Sequence, residues 1–322
     1  MKTNPAIDAL LGVAVGDALG VPYEFKTRID MQLSPAKDMT GYGTHNQPQG
    51  TWSDDSSMTF CQAESLVHAG YDLADLSQRF IDWKLRNYWT AHNELFDIGI
   101  TTSQAISRLA QILDKEEWDM LPIQKNLGDE YENGNGSLMR ILPLLFYLKG
   151  KDLKTQWRCI WEVSGLTHRH VRAGMACFIY LKFAEHLLDG KKKEEAYRLT
   201  RKEVEACWRI LELSNEERKH FRRIIQQDVR NISWKDLRSG GYVIESLEAS
   251  FWCFLQKDNY EQTVLTAINL GHDTDTTAAI AGGLAGLYYT SNGIPEYWIV
   301  STARMEDIVD LGERLHAKYG GE

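Results

Sequence analysis

Residues 270–277, Leu-Gly-His-Asp-Thr-Asp-Thr-Thr, run directly into the small-residue apolar segment 278–287. Two carboxylates that are two residues apart do not lie on the same face of an α-helix, where neighbours are three or four residues apart. They can converge in an extended loop just before a helix, and Thr276 or Thr277 is then expected to be the N-cap. Carboxylate and hydroxyl oxygens held together in this way suit a hard cation, Mg²⁺ first, with Mn²⁺ and Ca²⁺ as alternatives.

A second acidic segment lies far upstream, at residues 50–57, Gly-Thr-Trp-Ser-Asp-Asp-Ser-Ser. Simple N-capping of the following helix is the alternative for either segment alone, but capping needs only one Asp or Ser. It does not explain why Asp54 adjoins Asp55, or why Asp273 lies near Asp275. Crowded carboxylates are unfavourable unless a cation or a shared proton compensates for their charge. The two segments together therefore predict a metal site.

Apolar residues recur at helical spacing along most of the chain, and no run of strands alternates with them. The sequence predicts an all-α protein, a single compact domain over residues 1–322 with ten or more helices. Gly12, Gly16 and Gly20 are spaced by four, so one helix face is nearly bare and another helix can approach it closely. The loop at 34–50 is rich in Gly, Pro and Thr, and loops of this length are usually functional or mobile.

The composition, with 43% hydrophobic and 25% charged residues, is that of a soluble globular protein. A net charge of −9 argues against broad nucleic-acid binding, which needs a basic face. No apolar run is expected to reach the roughly 18 residues of a membrane span, and the N-terminus lacks a signal-peptide pattern. The five cysteines are widely spaced and form no C-x-x-C pair, which is typical of reduced thiols. We therefore expect a cytoplasmic protein, monomeric and without a membrane partner.

Two further segments place small polar residues before an apolar stretch that is expected to be helical. They are Asn-Gly-Asn-Gly-Ser at 133–137 and Thr-His-Arg-His at 167–170. Helix N-termini offer unpaired N–H groups and a partial positive charge, which suit carboxylates and phosphates. A structural zinc is not expected, because His168 and His170 lack Cys or His partners at zinc spacing.

The acidic segment at 273–277 also fits the D-x-D-x-T nucleophile loop of haloacid-dehalogenase-type phosphatases. That loop should follow a parallel strand near the start of a doubly wound domain. Only 45 residues follow Thr277, and they begin with a Gly/Ala-rich helix, which leaves too little chain for the later catalytic loops. The phosphatase alternative is therefore disfavoured.

Taken together, the motifs resemble those of the ADP-ribosylglycohydrolase family, which includes the dinitrogenase-reductase-activating glycohydrolase and the animal ADP-ribosyl-acceptor hydrolases. The resemblance extends from about residue 7 to residue 290, in the family's order. It rests on GDALGVPYEF (16–25), SDD (53–55), FDIG with the nearby TT (96–102), NGSLMR (135–140), TH (167–168) and DTDTT (273–277).

The resemblance implies an all-α fold with a binuclear Mg²⁺ site, two ions with Mn²⁺ in some members, at the base of a cleft. The metal ligands would be Ser53, Asp54 and Asp55 from one segment and Asp273, Asp275 and Thr276 from the other.

The remaining motifs of the family line the cleft. By position, Glu24 matches a glutamate on a mobile loop that reaches the metals or the substrate, and Asp97 and Gly99 match a substrate-side loop. The segment that holds the diphosphate and the distal ribose would include Asn135, Gly136, Ser137 and Met139, with His168 lining the same cleft. The backbone N–H groups of Gly136 and Ser137 are the expected diphosphate anchors.

Two positions depart from the family pattern. Ser53 stands where Thr is usual, and its hydroxyl can still coordinate a metal. His272 stands where Gly is common, and it is expected to place a bulky group beside the metals that narrows the cleft or changes the substrate preference.

The resemblance implies a hydrolase that releases ADP-ribose from ADP-ribosylated protein, with arginine as the first candidate for the linked residue. The metals would fix the ribose hydroxyls and activate a water, with Asp55 or Glu24 as general base. Serine-linked ADP-ribose, O-acetyl-ADP-ribose or modified nucleic acid remain alternative substrates. A non-catalytic, crystallin-like relative is a further alternative, against which the retention of the acidic residues argues.

Overall fold

A computed structural model describes residues 4–122, 128–211 and 213–320 of the protein. Over those ranges the chain forms α-helices, short 3-10 turns and two isolated β-bridges, and it contains no extended strand. The all-α fold that the sequence predicts is confirmed. The helices are α1 (Pro5–Gly20), α2 (Arg28–Leu33), α3 (Asp54–His68), α4 (Leu73–Arg86), α5 (Ile100–Asp114), α6 (Leu144–Leu148), α7 (Leu153–Gly165), α8 (Val171–Leu188), α9 (Lys193–Ile210), α10 (Asn215–His220), α11 (Arg222–Ile225), α12 (Val243–Gln256), α13 (Tyr260–Ile268), α14 (Thr274–Tyr289), α15 (Glu296–Ser301) and α16 (Met305–Tyr319).

Helices α1 and α14 pack along each other at the centre of the fold, because both carry small residues on their facing sides. A Cβ on Gly16 would collide with the carbonyl of Ala278, and a Cβ on Gly20 would collide with the backbone of Asp275. The bare face predicted from the glycine spacing is therefore the face of α1 that packs against α14. Its consequence is that the acidic start of α14 lies directly against the end of α1.

The central position of α1 also explains its composition. The segment Pro5–Tyr23 is long and apolar enough to cross a membrane by length and composition, contrary to the expectation that no run reaches that size. However, 89% of that window is buried inside the protein, where α3, α14 and α16 pack around it. A helix that is apolar on all sides is what the core of a large domain requires.

The two acidic segments lie at the N-termini of α3 and α14. Helix α3 begins at Asp54 with Ser53 as its N-cap, and α14 begins at Thr274 with Asp273 as its N-cap. The prediction that Thr276 or Thr277 caps α14 is wrong, because Thr277 lies within the first turn and donates its hydroxyl to the Asp273 carbonyl. The carboxylates therefore occupy first helical turns rather than extended loops.

The segment at 133–137 also differs from its prediction. It does not lead straight into a helix, since residues 136–143 form turns and α6 begins only at Leu144. Backbone hydrogen bonds from Asn135 to Gly241 and from Val243 to Asn133 fasten it to the start of α12. The turns therefore have a fixed place beside the start of α12.

The long loop at 34–50 is held at several points. Ala36 exchanges hydrogen bonds with the side chain of Asn269, at 2.8 and 3.0 Å. The Gly50 carbonyl accepts a bond from the Ala303 N–H at 2.9 Å. This anchoring delivers His45, near the middle of the loop, to the carboxylate of Glu24.

Candidate active site

A cleft of about 360 Å³ opens above the N-termini of α3 and α14. Ten of the residues singled out from the sequence line it: Glu24, Asp54, Asp97, Gly99, Asn135, Gly136, Met139, His168, Asp273 and Thr276. The other four do not line it and are buried: Ser53, Asp55, Ser137 and Asp275. The fold thus brings segments from across the chain into one site.

The floor of the cleft contains two groups of carboxylates that share one member. Oxygens of Asp17, Asp55 and Asp275 lie within 4.8 Å of one another, and so do oxygens of Glu24, Asp273 and Asp275. Each group could hold a metal ion, and the two groups are joined through Asp275.

Two buried oxygen atoms test whether this floor fits a cation. Oδ1 of Asp55 and Oδ1 of Asp273 have no hydrogen-bond partner in the described parts of the chain. The N-cap Asp273 makes no side-chain capping bond either, so its carboxylate is not committed to the helix. Leaving a buried carboxylate oxygen without a partner is costly, and coordination of a hard cation removes that cost. The residues fit a metal.

The pKa values of these carboxyl groups reflect the same crowding. Burial raises the pKa of Asp55 and Asp275 well above its usual range, and the neighbouring carboxylates raise it further. For Asp54 burial is again the main cause, followed by the charge of Asp97. A divalent cation would offset this repulsion and favour the ionised forms.

Asp17 is a member of the floor that the sequence analysis missed. Its carboxylate accepts hydrogen bonds from the backbone N–H groups of Ser53 and Ser56, all at 3.0 Å, and from the Ser56 hydroxyl at 2.6 Å. It therefore binds the start of α3 to the end of α1. The signal in the sequence that could have identified Asp17 is its position within an apolar helix. Asp17 is fully buried there, and an acidic residue is rarely fully buried without a partner.

His45 was also missed. Its imidazole hydrogen-bonds the Glu24 carboxylate, and its ring lies between those of Phe25 and Phe96, with centroids 5.9 and 5.3 Å away. Burial raises the pKa of Glu24 to about 7, while the bond to His45 opposes that shift. The Thr44 hydroxyl donates to the Glu24 carbonyl at 2.7 Å. The 34–50 loop thus holds Glu24 at the cleft.

Asn135 connects the cleft wall to the floor. Its amide nitrogen donates to Oδ2 of Asp273 at 2.7 Å and to the hydroxyl of Ser246 at 2.9 Å. Both amide hydrogens are therefore used inside the protein, and one of them fixes the rotamer of Asp273. The sequence analysis did not identify Ser246, because its contact with Asn135 spans 111 positions of the chain.

The next residues present backbone donors. Within the described chain, the N–H groups of Gly136 and Ser137 make no hydrogen bond; Gly136 lines the cleft, whereas Ser137 is fully buried and does not line it. The Ser137 side chain points away from the cleft, where its hydroxyl accepts a bond from Ser164 at 2.8 Å and lies 3.6 Å from the sulfur of Cys177. Any role of Ser137 toward a ligand thus belongs to its backbone.

The protonation of His168 follows from a buried chain of hydrogen bonds. Arg140 donates to the Thr167 hydroxyl at 2.8 Å, and that hydroxyl lies 2.9 Å from Nδ1 of His168. Because arginine can only donate, the Thr167 hydroxyl keeps its own hydrogen for Nδ1, and this bond favours the tautomer with the proton on Nε2. Burial, assisted by the charge of Arg140, lowers the pKa of His168 to about 3, so the ring is neutral.

The Nε2–H of His168 is directed at the glycine-rich turn. A Cβ on Gly134 would lie 3.1 Å from Nε2, and a Cβ on Gly136 would meet the same ring and, at 3.0 Å, the Thr102 hydroxyl. Glycine at these positions leaves space between the imidazole and the free N–H groups. That space is suited to an oxygen-rich ligand.

His272 does not lie where the sequence analysis expected it. It lines a neighbouring pocket with Arg28 and Arg238 and is exposed there, so it does not narrow the cleft. The reason is its backbone, which has φ +64° and hydrogen-bonds Phe25 and Lys26, each at 2.7 Å. This conformation turns the side chain away from Asp273.

Fold and site together define a class: an all-α protein with a carboxylate floor suited to hard cations beneath a cleft of neutral hydrogen-bond donors. Comparison with known proteins agrees with this description. The sequence model of the family described as ADP-ribosylglycohydrolase matches residues 2–322. The chain therefore belongs to the ADP-ribosylglycohydrolase family and is an enzyme, an ADP-ribosyl hydrolase that cleaves glycosidic bonds of ADP-ribose.

Individual relatives are similar over most of their length. An ADP-ribosylarginine hydrolase, Tri1, of Serratia proteamaculans (strain 568) is 30% identical, covering 97% of this chain and 79% of the relative. The ADP-ribosyl-[dinitrogen reductase] glycohydrolase of Rhodospirillum rubrum is 27% identical, covering 91% and 88%. A solved structure described as an ADP-ribosylglycohydrolase-related protein complex superimposes with a TM-score of 0.78 and 29% identity, over 98% of both chains. The resemblance inferred from the motifs is confirmed.

Proposed function

We propose that this protein is a Mg²⁺-dependent hydrolase that releases ADP-ribose from ADP-ribosylated arginine side chains, as a cytoplasmic monomer. The observation that carries the proposal is the pair of carboxylate groups that share Asp275 beneath the cleft. The name of the Serratia relative supports arginine as the linked residue. So does the acidic cleft rim at Glu24 and Asp97, which suits a guanidinium group.

The metal would be held by the six residues predicted for it, with Mn²⁺ as an alternative to Mg²⁺. Oδ1 of Asp55 and Oδ1 of Asp273 are the unpartnered buried atoms, and Asp275 is common to both carboxylate groups. Ser53, Asp54 and Thr276 complete the oxygen donors from the same two helix starts. Two ions bound there would supply positive charge for the ribose hydroxyls and lower the pKa of a water molecule.

Glu24 is favoured over Asp55 as the general base. Glu24 lines the cleft, whereas Asp55 lies beneath it and accepts bonds from the hydroxyls of Ser53 and Thr276 at 3.1 and 3.2 Å. Burial raises the pKa of Glu24 to about 7 in the metal-free protein, and a bound cation would lower it and favour the carboxylate form that a general base requires. His45 orients its carboxylate.

The diphosphate would bind between the glycine-rich turn and His168. The free N–H groups of Gly136 and Ser137 and the Nε2–H of His168 are neutral donors, so they bind an anion without adding a cation to the site. These donors would allow the site to bind a negatively charged diphosphate although the protein has a net charge of −9.

A substrate panel tests the proposal. Peptides that carry ADP-ribose on arginine or on serine, together with O-acetyl-ADP-ribose, are incubated with the protein in Mg²⁺, in Mn²⁺ and in excess EDTA. We expect ADP-ribose release from the arginine peptide and its loss in EDTA. Full release in EDTA would refute the metal dependence, and release from the serine peptide alone would refute the arginine assignment.

A further inference from the structure

A second pocket, which we call the basic pocket, adjoins the cleft and has a volume of about 430 Å³. Its lining includes Arg28, Lys235, Arg238, Gly240, Glu245 and His272. Three permanent cations therefore face one carboxylate, on a protein whose net charge is −9. A local excess of positive charge on an acidic protein favours the binding of an anionic partner at that place.

The arginine at the base of the pocket is fixed in place by neutral groups. Arg28 donates to the carbonyls of Leu270 and Trp234, at 2.9 and 2.7 Å, and its guanidinium lies 5.3 Å from the Trp234 ring centroid. No carboxylate forms an ion pair with it in the described parts of the chain. Its charge is thus held rigidly without an internal counter-ion.

The cations at the mouth of the pocket are exposed, whereas Arg28 is only partly exposed. Lys235 is exposed and has no ion-pair partner among the described residues, and Arg238 is exposed, with a 3.4 Å contact to Glu245. Exposed pairs of this kind contribute little to stability. Both side chains are therefore free to meet a partner at the surface.

The basic pocket and the cleft share one wall. Gly240 lines the pocket and Gly241 the cleft, while His272 lines the pocket and Asp273 the cleft. Backbone bonds hold the wall together, including one from Asp273 N–H to the Ser239 carbonyl at 3.0 Å. A ligand in the pocket would thus lie beside Asp273, at the carboxylate end of the cleft, while the other part of the wall, Gly241, accepts a bond from the Asn135 N–H of the glycine-rich turn at 3.0 Å.

We infer that the basic pocket binds an acidic segment of the ADP-ribosylated protein, next to its modified residue. This inference rests on the proposed function, which places the bond to be cleaved at the carboxylate end of the cleft, where the carrier protein must leave. Acidic residues of the carrier would be repelled by Glu24, Asp54 and Asp97, and the basic pocket lies where it can offset that repulsion. Arg28, fixed by its hydrogen bonds, supplies the anchor, and the exposed side chains of Lys235 and Arg238 meet the carboxylates at the surface.

The test compares two fluorescent peptides that carry one ADP-ribosylated arginine, flanked either by four glutamates or by four glutamines. Binding is measured by fluorescence anisotropy in excess EDTA, which prevents metal-dependent turnover. We expect the glutamate peptide to bind about tenfold more tightly at low salt, with the preference falling as salt screens the charges. The Lys235→Glu/Arg238→Glu variant should reduce the preference to less than about twofold.

A matched control carries the same change in net charge on another face. The control is the Lys192→Glu/Lys202→Glu variant. Lys192 is the N-cap of α9 and Lys202 lies within α9, and both are exposed. Helix α9 contributes no residue to the described lining of the pocket or the cleft. This control should retain the preference. Equal binding of both peptides by the unaltered protein would overturn the inference. A preference that is retained in the pocket variant, or lost equally in the control variant, would also overturn it. If the pocket variant bound both peptides equally more weakly, the pocket would contact ADP-ribose itself, and the inference would again be wrong.

Addition of Mg²⁺ then separates the inference from the proposed function. If the glutamate peptide binds preferentially but no ADP-ribose is released, the proposed function fails and the basic pocket stands. If both peptides are cleaved with equal kcat/KM and equal affinity, the proposed function stands and the inference fails.

Discussion

The hydroxyl of Thr276 donates a hydrogen bond to Oδ2 of Asp55 across 3.2 Å, although the two residues are 221 positions apart in the chain. This contact joins the N-terminus of α14 to that of α3. Both helix ends also rest on α1, through Gly20 beneath Asp275 and through Asp17 beneath Ser53. Residues of α1, α3 and α14 together therefore form the cleft floor, and the contribution of each helix can be tested separately.

Removing one shared carboxylate should separate activity from stability. Asp275→Asn is expected to lower kcat by about a thousandfold or more, because a ligand common to both carboxylate groups is lost. In EDTA the same variant should be more stable than the unaltered protein by about 1 kcal/mol, because one of several crowded, buried acidic groups is removed. Thermal unfolding in EDTA and ADP-ribose release in Mg²⁺ measure the two effects.

Asp310→Asn is the control for that experiment, since Asp310 pairs with Arg314 on the exposed side of α16. It should leave kcat unchanged. Activity in Asp275→Asn close to that of the unaltered protein would show that the carboxylate floor does not hold the catalytic metal.

Metal binding should release protons. Burial raises the pKa of Asp54, Asp55 and Asp275 well above the usual range, so these groups keep their protons to a higher pH than ordinary carboxyl groups, and a cation must displace them. Affinity for Mg²⁺ should therefore rise with pH and fall as pH decreases. Calorimetric titration in two buffers of different ionisation enthalpy measures the protons released, and identical heats in both buffers would contradict this account.

The neutral state of His168 leads to a spectroscopic prediction. Because its pKa is about 3, the ring should remain neutral, with the proton on Nε2, from pH 5 to pH 9. ¹⁵N NMR of the imidazole distinguishes the two tautomers. Thr167→Val removes the partner of Nδ1 and should mix the tautomers and raise KM by about tenfold, which corresponds to one hydrogen bond to a charged ligand. Thr167→Ser keeps the hydroxyl and should preserve both properties, and a doubly protonated ring at pH 6 would exclude the assignment.

The contact between α1 and α14 predicts a large stability loss from a small change. Gly16→Ala places a methyl group against the Ala278 carbonyl, so the helices must separate, at a cost of about 2–4 kcal/mol. Urea unfolding measures it. Gly150→Ala is the control, because its φ is +76° but no atom lies within 4 Å of the added carbon, and it should cost only about 1 kcal/mol. Equal losses in the two variants would mean that close packing is not the cause.

Local patterns in the sequence were sufficient for the helices and for pairing the two acidic segments in one candidate metal site. The glycine spacing of α1 is periodic, and the pairing of two acidic segments follows from the cost of crowding like charges. Asp17 and His45 were missed because their roles arise from contacts with Ser53 and Glu24 that no spacing reveals.

The orientation of His272 was equally beyond local patterns. Its direction depends on a left-handed backbone conformation that is fixed by bonds to Phe25 and Lys26, about 245 positions away. The same side chain therefore lines the basic pocket instead of the cleft.

A buried acid outside the active site gives a pH dependence of stability. Burial raises the pKa of Glu248, on α12, to about 7, although Arg223 lies 3.4 Å away. The folded protein therefore holds a proton that the unfolded chain loses above about pH 4.5, so stability decreases as pH rises from that value through 7. Glu248→Gln should be about as stable as the unaltered protein at pH 5 and more stable by about 1–3 kcal/mol at pH 8. Urea unfolding at the two pH values measures the difference.

Glu313→Gln, at an exposed position of α16, is the control and should have the same small effect at both pH values. A loss of stability in Glu248→Gln at pH 8 would mean that the ion pair with Arg223 outweighs the cost of burying the charge.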